Sequence, residues 1–188
     1  MSRLIALATA AFLLAGCAEP ARPRVIGLVD PGFAPGSEPL ETLLKANNFD
    51  FRYSLLTQLA STLAAEGYQV LGVEMPRDGI ALHDSEHFLT PPVGGRIDAY
   101  LDISVSAYGY AATGDAGYRP FAVADVQLVA ADGDGTILKR ERVTYDPGQD
   151  AGFSFARASE IEANPQRAVS GMDAAALRTG KAIGELFR

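Results

Sequence analysis

IDAYLDISVSAYGY, residues 97–110, decides more of the fold than any other stretch of this chain. Successive side chains of a β-strand point to opposite faces. Leu101, Ile103, Val105, Ala107 and Gly109 therefore fall on one side. Tyr100, Asp102, Ser104, Ser106, Tyr108 and Tyr110 fall on the other. Such alternation predicts a long strand with one buried face and one polar face. The buried face needs a cover, and the flanking sequence must supply it.

Downstream, RPFAVADVQLVAADGDGTILKRERVTYD (119–146) reads as two further strands joined at Asp132-Gly133-Asp134-Gly135, since Asp-Gly is a favoured hairpin turn. DAAALRTGKAIGELF (173–187) reads as a helix, with Ala176, Leu177, Ile183, Leu186 and Phe187 as its apolar side. Upstream, RVIGLVDPG (24–32) is a short apolar run stopped by Pro31-Gly32, the signature of a buried strand. FAPGSEPLETLLKANN (33–48) leads into a short helical piece. From Asp50 to Glu66, Tyr53, Leu55, Leu56, Leu59 and Leu63 recur at helical spacing, and Gly67 closes the helix. YQVLGVEM (68–75) is a second short strand, and residues 76–96 read as irregular. The expectation is one α+β domain over 24–188, a mixed sheet of four to five strands with helices packed on one face. The first strand–helix–strand unit should form a right-handed crossover.

Ahead of this domain stands MSRLIALATAAFLLAGC. Arg3 supplies a positive start, and the apolar run from Leu4 to Leu14 is short of the roughly 20 residues that a spanning helix needs. The pattern reads as a secretory leader over residues 1–16. Leu14-Ala15-Gly16-Cys17 resembles the lipobox of bacterial lipoproteins, which implies cleavage before Cys17 and acylation of that cysteine. Cys17 is the sole cysteine, so lipidation would leave no thiol for a disulfide, nucleophile or zinc site. Residues 17–23 then form the lipidated cysteine and a proline-bearing stem. Ala18 stands where the lipoprotein pattern carries Asp for inner-membrane retention, which implies the outer membrane, facing the periplasm. Charge agrees with anchoring by lipid. Lys+Arg 16 against Asp+Glu 23 gives −7, with no electrostatic footprint for nucleic acid.

The stretch DAYLDISVSAYGY followed by FAVADVQLVAADGDGTILKRERVTY resembles a pattern of bacterial envelope modules, best over Ala99–Val143. These are the curli-assembly lipoproteins, the lipoprotein activators of penicillin-binding proteins, and the N-terminal domain of the Tol-system propeller protein. The resemblance implies an assembly, scaffolding or activation role, with a protein partner in the envelope and no cofactor. It supplies no binding residues to carry over.

Chemistry-bearing stretches are few. HDSEH (83–87) spells H-x-x-E-H, in which His83 and His87 would bind zinc and Glu86 would act as base. Thr90-Pro91-Pro92 follows almost at once and leaves about one turn of helix, so an incidental polar loop is the reading adopted. A small zinc hydrolase is the alternative class. Asp132–Gly135 lacks the closing glutamate of a calcium loop and reads as a turn. GFSFA around Ser154 lacks the strand that precedes a nucleophile elbow. Tyr100, Tyr108 and Tyr110 are expected to share one face, either as a partner-binding surface or as a set that covers the sheet or packs under a loop. Lys139, Arg140 and Arg142 form the one basic cluster of an acidic chain, either a solvated hairpin or a contact for a partner's acidic surface. The function expected is a membrane-anchored, non-catalytic accessory to an envelope complex; a binder of a small envelope molecule is a third possibility.

Overall fold

The computed structural model describes residues 23–29, 32–33, 37–73, 96–114, 117–132, 134–145 and 151–188. The first strand, β1 (Val25–Val29), is followed by the two-residue β2 (Gly32–Phe33) and by helices α1 (Glu38–Ala46) and α2 (Phe51–Ala65). Strand β3 (Gln69–Val73) follows, and then the long strands β4 (Ala99–Ala112), β5 (Tyr118–Ala130) and β6 (Ile137–Tyr145). A 3-10 turn (Ala151–Phe153), α3 (Ala158–Ala163) and α4 (Pro165–Glu185) complete the order.

The strands line up as β3-β1-β4-β5-β6. β1 runs parallel to both β3 and β4, while β4–β5 and β5–β6 are antiparallel. Where β1 ends, β2 takes its place beside β4 at Ser104 and Val105. The sheet is mixed and the domain is single and α+β, as the sequence predicts.

Local chemistry sets the helix ends. The Asp50 carboxylate accepts from the Tyr53 amide at 3.2 Å and caps α2. Pro165 opens α4, where its missing N–H costs nothing. α4 thus begins eight residues before the expected Asp173. Its early turns are built of small residues, Ala168 and Gly171 beside Met172, all buried, and such residues carry little hydrophobic period.

The helices pack on one face, where the main core lies. Ile26, Leu101, Ile103, Val105, Ala124 and Val126 of the sheet join Leu40, Phe51, Leu55, Leu59, Leu63, Met172 and Ile183 of the helices in one core. α4 lies against the backbone of α2: a methyl added at Gly180 would come within 2.5 Å of the Leu55 carbonyl oxygen. Only a glycine lets the two helices approach this closely. Two expected core residues are corrected. Tyr53 is 71% exposed and Leu177 37% exposed; Phe51, not Tyr53, is the aromatic that α2 buries.

Candidate interaction surface

The two faces of the β4–β5–β6 sheet hold every residue singled out for binding that lies among the described residues. Up to Val105, β4 keeps strict alternation: Ala99, Leu101, Ile103 and Val105 pair with Ala130, Leu128, Val126 and Ala124, and the last three of these partners lie in the helix-side core. At Ser106 the ladder carries a bulge, since Val105 opposes Ala124 but Ala107 opposes Val123. One extra residue reverses the parity of everything after it. Tyr108 and Tyr110 now oppose Ala122 and Pro120, both buried, and point under the helices.

The shared tyrosine face is therefore a correction. Tyr108 stacks on Phe51 of α2, with ring centroids 4.8 Å apart. Tyr110 donates from its hydroxyl to the Ala168 carbonyl at 2.9 Å and meets Phe155 edge-on at 5.4 Å. A methyl at Gly171 would sit 2.2 Å from that hydroxyl, so Gly171 and Tyr110 are fitted to each other. Burial holds the Tyr110 phenol protonated far above its ordinary range, as a donor requires. Tyr100 lies on the opposite face, 3% exposed, in a second apolar cluster with Val29 and Ile97. Burial also raises the Tyr100 and Tyr108 phenols.

The basic patch divides in the same way. Lys139 opposes Leu128 and belongs to the helix side. Its ammonium donates to the Leu186 carbonyl beyond α4 and lies 5.7 Å from the Phe187 ring centroid, where a cation meets the negative end of the helix dipole. Arg140 and Arg142 face the other way. Arg142 pairs with Asp125 at 3.0 Å, and Arg140 donates to the Gln127 amide oxygen at 3.4 Å. These four side chains, with Glu141, border a shallow recess of about 400 Å³ on the hairpin. Asp125 and Gln127 escaped the sequence reading because polar residues on an exposed strand face carry no signal of their own.

A smaller cavity of about 240 Å³ opens between α1, α3 and the distal ends of β4 and β5. Leu40, Leu43, Tyr110, Tyr118, Ile161 and Glu162 are among its walls. Asp98 was also missed. Its carboxylate accepts from the amides of Arg24 and Val25 at 2.9 and 3.0 Å, which pins the start of β1 to β4. Those backbone bonds, with Arg96 beside them, hold its pKa below the usual 3.8. At the β5–β6 turn, the Asp134 amide donates to the Asp132 side chain at 3.2 Å. That side-chain bond belongs to a turn rather than to a metal loop. Around Ser154, Phe155 bridges Tyr118 and is itself 1% exposed. Cys17 and the HDSEH segment, His83, Glu86 and His87, lie outside the described residues.

No protein-family model matches the chain, and no curated protein matches it. Among solved structures, a PelC dodecamer from Paraburkholderia phytofirmans is 16% identical with a TM-score of 0.44, covering 85% of this chain and 89% of that one. Protein XCC0632 from Xanthomonas campestris is 13% identical with a TM-score of 0.46, covering 88% and 86%. A minor lipoprotein from Acinetobacter baumannii is 12% identical with a TM-score of 0.32, covering 87% and 92%. Identity and score are low throughout, and the functional reading rests on the chain's own residues.

Proposed function

We propose that the chain is a lipid-anchored protein of the bacterial envelope, held at the outer membrane and facing the periplasm, whose domain is a non-catalytic accessory or assembly factor for a protein complex. The observation that carries this is Leu14-Ala15-Gly16-Cys17, with the sole cysteine closing a short apolar run ahead of the stem and β1. Among the described residues no helix is long and apolar enough to cross a membrane, so attachment falls to the acylated cysteine. Two or more acyl chains anchor stably, since each buried methylene contributes about 0.8 kcal/mol. Confinement to a surface then raises the domain's effective concentration near membrane partners.

The surface offered to a partner is the helix-free face of the β5–β6 hairpin. Arg140, Arg142, Asp125 and Gln127 present both signs of charge there in fixed register. Such patterning selects a partner and its orientation more than it adds affinity. Tyr108, Tyr110 and Lys139 take no part, because each is engaged on the helix side.

Two experiments in the native host test the reading. Labelling with a palmitate analogue is expected to mark the parent chain and to fail in Cys17→Ala, which also blocks maturation. A photo-crosslinker at Arg142 is expected to capture one discrete envelope protein, with none captured from Lys45 on α1. An unlabelled parent chain, or equal capture from both sites, defeats the proposal. The competing zinc-hydrolase reading of HDSEH requires one tightly held zinc per chain, lost in His83→Ala, and metal analysis of the purified chain decides it. A small-ligand reading has one observation in its favour, the cavity between α1 and α3. Its 240 Å³ is below the roughly 300–1,000 Å³ usual for ligand pockets, so a fragment-sized apolar group is the most it holds.

A further inference from the structure

Five strand ends meet at one end of the sheet, and the stem enters there. The Gln69 amide donates to the Arg24 carbonyl at 2.8 Å, and the Asp98 amide to the Val25 carbonyl at 3.0 Å. The Ala131 amide donates to the Asp98 carbonyl at 3.0 Å, and the Ala130 amide to the Thr136 carbonyl at 2.8 Å. A single row therefore runs from β3 across β1, β4 and β5 to Ile137 at the start of β6. Three strand spacings separate β1 from β6, or about 14 Å.

From Cys17 to Arg24 the chain has seven residue steps, which span about 25 Å at full extension. With Cys17 acylated, Arg24 cannot stand further than that from the anchored cysteine, and the hairpin start, three spacings along the row, stays within about 40 Å of it. Its side chains suit that position. Ile137 and Leu138 are 46% and 47% exposed, two of the four large apolar side chains left open among the described residues. Tyr53, another of the four, sits near the start of α2, by the Tyr108 end of the sheet. Isolated exposed apolar residues are ordinary; an adjacent pair beside the tether is not isolated. Arg140 follows on the helix-free face, with a long apolar stem that reaches the headgroup level. Asp132 and Asp134 at the exposed turn weigh against attraction to anionic lipid, so the contact expected is apolar and satisfied by zwitterionic phospholipid.

We propose that Ile137 and Leu138 seat in the headgroup–acyl boundary of the bilayer as a second, weaker contact. It fixes the domain with its strand-start end toward the membrane and its 240 Å³ cavity away from it. The proposal rests on the reading of Cys17 as an acylated anchor. The test uses the full acylated chain, purified from membranes and reconstituted into phosphatidylethanolamine–phosphatidylcholine vesicles. Single nitroxide labels are placed at Ile137→Cys, Leu138→Cys and, as the distal reference, Tyr53→Cys. On vesicles the ratio of oxygen to nickel-chelate accessibility is expected to rise several-fold at 137 and 138 and to stay unchanged at 53. A melting temperature matching the parent's qualifies each labelled chain; where 137 or 138 fails it, the exposed neighbours Thr136 and Arg140 take their place with the same expectation. Labels at the hairpin as water-accessible as the label at 53, on chains that float with the vesicles, overturn the seating and leave the anchor standing. Chains with an unmodified Cys17 by mass, which do not float, overturn the anchor and the seating together.

Discussion

The two halves of β4 share one strand, yet they solve the problem of covering a sheet differently. Before Ser106, aliphatic Leu101, Ile103 and Val105 fill the helix side and Tyr100 and Asp102 lie behind. After it, the aromatic Tyr108 and Tyr110 fill the helix side, while the small Ala107 opposes Val123 on the other. The first half packs on side-chain bulk alone. The second packs on aromatic rings and one hydrogen bond to a helix backbone, and so depends on geometry as well as volume. A single unpaired residue separates a face that reads correctly by polarity from one that reads backwards.

The contrast breaks most severely at Tyr110. Truncation to alanine in the second half should remove a ring that contacts Phe155 and α4, at a cost of about 3 kcal/mol. Equilibrium urea unfolding measures it. A loss below about 0.5 kcal/mol, the usual size for a surface site, would return Tyr110 to the open face. Gly171→Ala is the next effect in size. Alanine favours a helix over glycine by about 1 kcal/mol, but the added methyl would lie 2.2 Å from the Tyr110 hydroxyl. A net loss of about 1–2 kcal/mol is expected. In a Tyr110→Phe background the hydroxyl is gone and the same change should cost less, with only the approaches of 3.0 Å to the Phe153 Cβ and 3.2 Å to the ring left. The coupling read from that double-mutant cycle sharpens the comparison, and additivity would refute the contact.

The smallest of the three effects is just ahead of the first half, where a charge on Asp98 rather than a ring fixes the strand start. Asp98→Ala should cost about 1 kcal/mol near neutral pH through the lost bonds to Arg24 and Val25. The folded pKa of Asp98 lies below its unfolded value of 3.8. Its contribution is therefore complete above that value and disappears as pH falls through the lowered folded pKa. Urea midpoints of parent and variant should differ at pH 7 and converge in acid. A gap that does not narrow as the pH falls below 3.8 would assign the stabilisation to something other than the carboxylate.

Most of the fold was legible in the sequence because it is written in periodicity. The apolar runs of β1 and β3, the helical spacing in α2 and the alternation of β5 each predict their element. The N-terminal turns of α4 were not legible, since Ala168 and Gly171 contact their neighbours through closeness rather than hydrophobicity. The candidate surface was half legible. Polarity placed Tyr108 and Tyr110 with the serines, while volume would have placed them correctly: Ala107 and Gly109 are small where Leu101 and Ile103 were large, so the size pattern inverts across Ser106. The division of Lys139 from Arg140 and Arg142 follows from strand alternation alone, and a charge cluster in sequence hides it.

β1 holds a central place with hydrogen-bonded parallel neighbours on both sides, β3 along its whole length and β4 at Ile26–Leu28. Any drag on an anchored domain would enter through this strand and act along its axis. Force in that direction shears the two ladders and loads their bonds together, whereas an edge strand pulled sideways would release them one at a time. A domain tethered through β1 would thus resist a pull away from the membrane better than the same sheet tethered through β6.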